Sequence, residues 1–155
     1  MLSARSTMRT DWTATTLTLS VDGERFRVRL ARIDAPELDQ HFGGAARESL
    51  STQVLDHRVR IETAGRERYG RVLGTVWLKG KSINKRLVAD GWAWHYTRYS
   101  DSTEFAEAEK AARKGKLGLW AEATPVPPWE WRKRKTRPRA KASTAMPHVF
   151  LDRRF

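Results

Sequence analysis

A chain of 155 residues, 39 % apolar and 31 % charged, is long enough for one domain with a real hydrophobic core and too apolar for a disordered polymer. The lack of cysteine excludes a disulfide framework and a thiolate metal site, and no apolar run is long enough to span a bilayer. The net charge of +12 points to a polyanionic partner, nucleic acid before an anionic membrane or an acidic protein.

The charge is unevenly placed. Residues 132–155 carry nine Lys/Arg against one acid, a net of +8, whereas residues 1–131 carry 21 against 17, a net of +4. The opening Met1–Met8 lacks the apolar stretch of a secretory signal. The expected location is the cytoplasm, with secretion if a leader is missing from the sequence.

Taken in chain order, residues 16–33 alternate as strands: Leu17, Leu19 and Val21 point one way, and Asp22-Gly23 supplies a tight hairpin turn. Phe26, Val28 and Leu30 continue on the return strand, with Arg25, Arg27 and Arg29 on its other face. Ala35-Pro36 ends it. Gly43-Gly44 opens a helix that puts Ala46, Leu50 and Val54 on one side. Residues 58–63 alternate again, a charged Gly-containing loop covers 64–71, and Val72 to Leu78 forms the next strand. A short helix follows Gly80 with Ile83, Leu87 and Val88 inward, and Gly91 caps it. Trp92 to Tyr99 reads as strand or extended loop, with its tryptophans in the core. Residues 102–113 form a helix with Phe105, Ala108 and Ala112 on one side. The fold class is α+β: an OB-type, five-stranded barrel with three helices, since closure removes exposed strand edges.

Composition changes at Thr124. The chain divides into a domain of residues 1–123 and a Pro/Trp segment with a basic tail, residues 124–155. The prolines predict a stiff extended segment, and disorder without a partner is expected beyond Arg132.

The residues able to carry chemistry lie in two segments, Arg29 to Glu37 and Arg68-Tyr69-Gly70-Arg71. Arginine forks match phosphate oxygens in pairs. A carboxylate such as Glu37 can orient water or take its proton, and Asp34 can hold a hard cation. Each segment also has an ordinary reading: an arginine row as a solvated strand face, Asp34-Ala35-Pro36-Glu37 as a turn, and residues 68–71 as a charged loop. The four histidines are scattered and do not suggest zinc.

The run Val28-Arg29-Leu30 through Ile33-Asp34-Ala35-Pro36-Glu37 is followed by Tyr69-Gly70-Arg71, Gly80-Lys81, Asn84, Leu87-Val88 and Gly91. With the closing Leu117-Gly118-Leu119-Trp120, it resembles the staphylococcal nuclease (thermonuclease) family from about Thr15 to Trp120. The resemblance implies an OB barrel with three helices and a calcium-assisted, sugar-nonspecific endonuclease that hydrolyses DNA and RNA to 3′-phosphate ends. Arg29 and Arg71 would grip the scissile phosphate, and Glu37 would be the general base. Asp34 and the Ala35 carbonyl would bind calcium, Arg68 and Tyr69 would contact substrate phosphate, and Tyr99 would lie beside a base, its companion position being Thr97. The implied partner is single-stranded or unwound DNA or RNA, met by a monomer with no membrane role. Many members carry Asp-Gly-Asp-Thr where this chain has Thr13-Ala14-Thr15-Thr16, so Thr15 stands in place of a calcium-ligating Asp and calcium binding should be weaker. The alternative is a nuclease-fold binding module that has lost its activity, because an OB barrel with a basic tail holds single strands without cutting them.

Overall fold

The computed structural model describes residues 2–6 and 13–137. Among the described residues there are eight strands: β1 (Leu2–Ser6), β2 (Thr16–Val21), β3 (Glu24–Leu30), β4 (Ile33–Asp34), β5 (Arg58–Arg66), β6 (Val72–Leu78), β7 (Lys81–Ser82) and β8 (Trp94–His95). The helices are α1 (Gly43–Val54), α2 (Ile83–Ala89), α3 (Thr103–Lys114) and α4 (Pro128–Thr136), with a single 3-10 turn at Gly118–Ala121.

The sheet order β3-β2-β1-β5-β6 closes on itself through a parallel β3–β6 pairing. That makes the five-stranded barrel of an α+β, OB-like domain. The β2–β3 hairpin turns on Asp22 and Gly23, both at positive φ (50° and 82°), the twist that a two-residue hairpin needs. Strand β1 was not anticipated from the sequence. It is short, alternates small side chains (Ala4 and Ser6 buried, Leu2 exposed), and so carries almost no hydrophobic signal; yet it bridges β2 and β5. The aromatic run after Gly91 contributes only the two-residue β8, which pairs with β4.

Alternation fills the barrel. Leu17, Leu19, Val28, Leu30, Val59, Ile61 and Val76 are fully buried, together with Leu50 and Val54 of α1 and Val88 of α2. Burying each such side chain stabilises by roughly 1.5–3 kcal/mol. The parallel seam is tied by Asn84, which is fully buried. Its Oδ1 accepts from Val76 N (3.0 Å) and its Nδ2 donates to the carbonyls of Ala31 (3.0 Å) and Gly74 (3.1 Å).

Helix α4 adds to the expected set and corrects one expectation. Among the described residues the three expected helices, α1 to α3, are joined by α4, and residues 133–136 are helical where disorder was expected. Pro128 stands at the first helical position, which favours helix initiation. Trp129 packs on a second apolar cluster of Trp94, Ala112, Leu119 and Trp120. Packing on that cluster outweighs the repulsion within the basic run. The tail beyond Arg137 lies outside the described residues.

Candidate active site

The arginine side is assembled by strand register. Thr16 of β2 lies opposite Arg29 of β3, and Arg29 lies beside Leu73 of β6. Arg71 enters just ahead of β6 and so meets both. Its Nη1 donates to Thr16 Oγ1 (2.9 Å), while Nε and Nη2 donate to the two carboxylate oxygens of Glu67 (2.6 and 2.7 Å). Those hydrogen bonds hold the Glu67 carboxyl below its ordinary pKa. A tight turn spaces the pair: Gly70 N donates to the Glu67 carbonyl (3.0 Å) and Glu67 N to the Arg71 carbonyl (3.0 Å). Arg29 is only 15 % exposed, with its Nη2 3.5 Å from Asp34 Oδ1. Burial lowers the Arg29 pKa and the Asp34 charge opposes that shift.

The carboxylate side is held from farther away. Asp34 sits in β4 opposite Trp94 and is 2 % exposed. Glu37 is clasped by Gln40, whose side-chain Oε1 accepts from Glu37 N (3.2 Å) and whose own N–H donates to the Glu37 carbonyl (2.9 Å). Gln40 Nε2 donates in turn to the carbonyl of Val126 (2.6 Å). Helix α1 begins against the same carbonyl: a Cβ at Gly43 would stand 1.9 Å from the Glu37 oxygen. The third element is Arg132 of α4. Its Nη2 donates to Asp34 Oδ2 (2.7 Å), and its Nη1 donates to Glu37 Oε1 (2.7 Å) and, at 3.4 Å, to Asp34 Oδ1. These two carboxylates raise the Arg132 pKa against the effect of its burial. A buried carboxylate needs such a partner, because removing it from water unpaired is costly.

A cleft of about 540 Å³ opens beside Arg29, lined also by Glu67, Arg68, Tyr96 and Tyr99. It brings Arg68 and Tyr99 to Arg29. Tyr99 is 69 % exposed and lies against Tyr96 edge to face (5.0 Å). Tyr69 is 77 % exposed on its loop and does not line this cleft. Trp94 is buried against Trp120 and Trp129, a packing role.

The donor set does not fit calcium in this arrangement. Asp34 and Glu37 already share one guanidinium, and Asp34 has Arg29 close by. Thr15 is buried and brings no charge; its N–H donates to Thr13 Oγ1 (3.3 Å) and its carbonyl accepts from Leu30 N (2.8 Å). Among the described residues, no group of three or more His, Asp or Glu could hold a metal ion.

Sequence reasoning missed Arg132, Glu67, Gln40 and Thr16. Glu67 was detectable, because a carboxylate four residues before an arginine in a Gly-containing turn is a natural counter-ion. Arg132 gave no local signal: it is one cation in a basic run.

Residues 27–122 match the staphylococcal nuclease homologue family. An uncharacterized endonuclease of Haemophilus influenzae is 38 % identical over 121 residues, covering 77 % of this chain and 68 % of that protein. An uncharacterized endonuclease of Escherichia coli is 40 % identical over 110 residues, covering 70 % and 72 %. A staphylococcal-like nuclease of Arabidopsis thaliana is 38 % identical over 112 residues, covering 72 % of this chain and 35 % of that protein. The chain thus spans about a third of the plant relatives it matches.

Proposed function

The chain belongs to the staphylococcal nuclease family, and from that premise we propose that it is an endonuclease hydrolysing phosphodiester bonds of DNA and RNA without selecting the sugar. The observation that carries the reading is the meeting of two partly buried arginines with two carboxylates, joined where Arg29 Nη2 stands 3.5 Å from Asp34 Oδ1.

Arg29 and Arg71 bind the non-bridging oxygens of the scissile phosphate, and their charge matters most as negative charge grows there. Glu37 takes a proton from water as the water oxygen bonds to phosphorus. The bond from phosphorus to the 5′-oxygen breaks, that oxygen gains a proton, and a 3′-phosphate end remains. Glu37 is suited to this because Arg132 Nη1 donates to its Oε1 (2.7 Å) and so fixes the orientation of the carboxylate. Arg68 steadies the flanking phosphate, Tyr99 offers a face for a base, and Tyr69, outside the cleft, meets the strand as it leaves. Such a site suits a single or unwound strand, since stacking is tolerant of sequence.

The family resemblance implies calcium assistance at Asp34 and Ala35, but the donor set does not fit that ion while Arg132 pairs with both acids. Incubating the protein with plasmid, denatured DNA and RNA, with calcium and with excess chelator, tests the reading. Cleavage of both nucleic acids is expected. No cleavage in any divalent ion or chelator would leave a binding module instead.

A further inference from the structure

Helix α4 does more than pack. We propose that Arg132 is a positioning residue of the site, its guanidinium being the resident cation of the Asp34–Glu37 pair in place of a divalent ion. The inference rests on the nuclease reading for its kinetic test and on geometry alone for its binding test.

Two carboxylates brought together repel unless a cation stands between them. Arg132 supplies one with 2.7 Å contacts to each. A planar fork with two outward N–H groups bridges two acids in a way that lysine cannot. The charge count agrees: Thr15 is neutral, leaving two acids rather than three to balance, and Arg29 near Asp34 offsets part of the remainder.

The helix is anchored so that this fork does not wander. One residue before Arg132, Trp131 Nε1 donates to Asp39 Oδ1 (3.3 Å); three residues after it, Lys135 pairs with the same Asp39. Trp129 stacks on Tyr96 (5.2 Å, 11° between planes) and meets Trp94 edge to face (5.5 Å). Gln40 ties the Val126 carbonyl to the backbone of Glu37. The loop that carries the carboxylates therefore grips the C-terminal segment on both sides of Arg132. A divalent ion entering between Asp34 and Glu37 would have to expel the guanidinium and leave it unpaired beside Arg29 and the ion. While α4 is docked, Arg132 and the metal compete for one place.

The test uses the full chain as wild type, Arg132→Ala and Arg132→Lys, with circular dichroism to verify folding. Calorimetric titration with calcium alone, without nucleic acid, reads the binding claim. Calcium should bind Arg132→Ala at least about tenfold more tightly than wild type, a factor that corresponds to about 1.4 kcal/mol, with Arg132→Lys between them. Equal affinity in wild type and Arg132→Ala would overturn the proposal. In chelator, turnover of a single-stranded oligonucleotide should fall on the order of 10²-fold in Arg132→Ala, the low end for losing general-base assistance. KM should change little, and added guanidinium should restore part of the rate. Unchanged turnover in Arg132→Ala would reduce the contact to packing. If wild type cuts nothing, the nuclease reading fails, while the calcium titration still decides the role of Arg132. Should Arg132→Ala fail to fold, Arg132→Lys carries both measurements.

Discussion

The two halves of the site solve the same electrostatic problem by different routes. Arg71 is held by a counter-ion four residues away, Glu67, inside one turn. Asp34 and Glu37 are held by a counter-ion 98 and 95 residues away, on a helix that lies outside the barrel strands. The arginine side therefore follows from barrel closure: once β3 pairs with β6, Arg29, Arg71 and Thr16 are neighbours. The carboxylate side is complete only when α4 docks. A site built this way has one half as stable as its barrel and another half whose order depends on a peripheral helix.

The sharpest way to break the comparison is to remove one chemical group from each half. Glu37→Gln keeps shape and loses basicity; Arg71→Lys keeps charge and loses the two-pronged contact. Each should lower turnover about 10²–10⁴-fold, the range for losing general-base or oriented electrostatic assistance. Binding of oligonucleotide should weaken far less, because both interactions strengthen in the transition state. Steady-state kinetics beside a binding titration decides it. Near wild-type turnover in either variant would show that its half of the site is not used.

Two truncations separate α4 from the tail. Ending the chain after Trp131 removes Arg132, so turnover should drop on the order of 10²-fold. Ending it after Arg137 keeps every contact described above for α4 and removes Arg139, Lys141, Arg153 and Arg154. That variant should keep its turnover and show a flatter salt dependence of binding, by about 0.9 in log–log slope per phosphate no longer neutralised. If both truncations behave alike, the distinction between helix and tail is wrong.

These outcomes bear on what the sequence can reveal. The barrel was legible because period-2 burial is a local signal: Leu17, Leu19, Val28 and Leu30 alternate as they pack. The arginines and acids were legible because they lie in two short ordered motifs. β1 was not, since Ala4 and Ser6 are small and one of them is polar. α4 was not, because prolines and a basic run read locally as extended and solvated chain. Its helix depends on a Trp94–Trp120–Trp129 contact that joins segments distant in sequence. Arg132 was invisible for the same reason: its partners are set by tertiary docking, not by spacing.

A smaller perturbation sharpens the comparison on the carboxylate side. Gly43→Ala would drive a methyl into the Glu37 carbonyl, 1.9 Å from the added carbon, whereas Gly44 has nothing within 4 Å. Neither glycine needs a positive φ, so the two substitutions differ only in what surrounds them. Gly43→Ala should shift Glu37 and lower turnover by at least about tenfold, since misplacements near 1 Å can cost about 10²-fold. Gly44→Ala should leave turnover unchanged and stabilise α1 by about 0.5–1 kcal/mol. Equal kinetics in the two variants would mean that the start of α1 does not place the base.

The gentlest test falls on the arginine side, where the counter-ion is local. Glu67→Gln removes the charge from Glu67 but leaves an oxygen able to accept from Arg71, and Thr16 Oγ1 still accepts from Nη1 at 2.9 Å. Turnover should therefore change by no more than about threefold, about 0.7 kcal/mol of barrier. That is well short of the loss expected when Arg132 is removed from the other half. The effect on stability should depend on pH. The Glu67 carboxyl titrates below its ordinary value of 4.5, chiefly through its hydrogen bonds from Arg71. A group whose pKa is depressed by folding stabilises the native state above its unfolded value and loses that contribution as pH falls through the folded value. Wild type should then melt above Glu67→Gln at pH 7, by a few degrees if the pair contributes about 1 kcal/mol. The gap should close as the pH is lowered below 4.5. A gap that stays constant down to strongly acidic pH would show that hydrogen-bond geometry, not charge, holds Arg71. The two halves of the site would then differ in kind as well as in the distance to their partners.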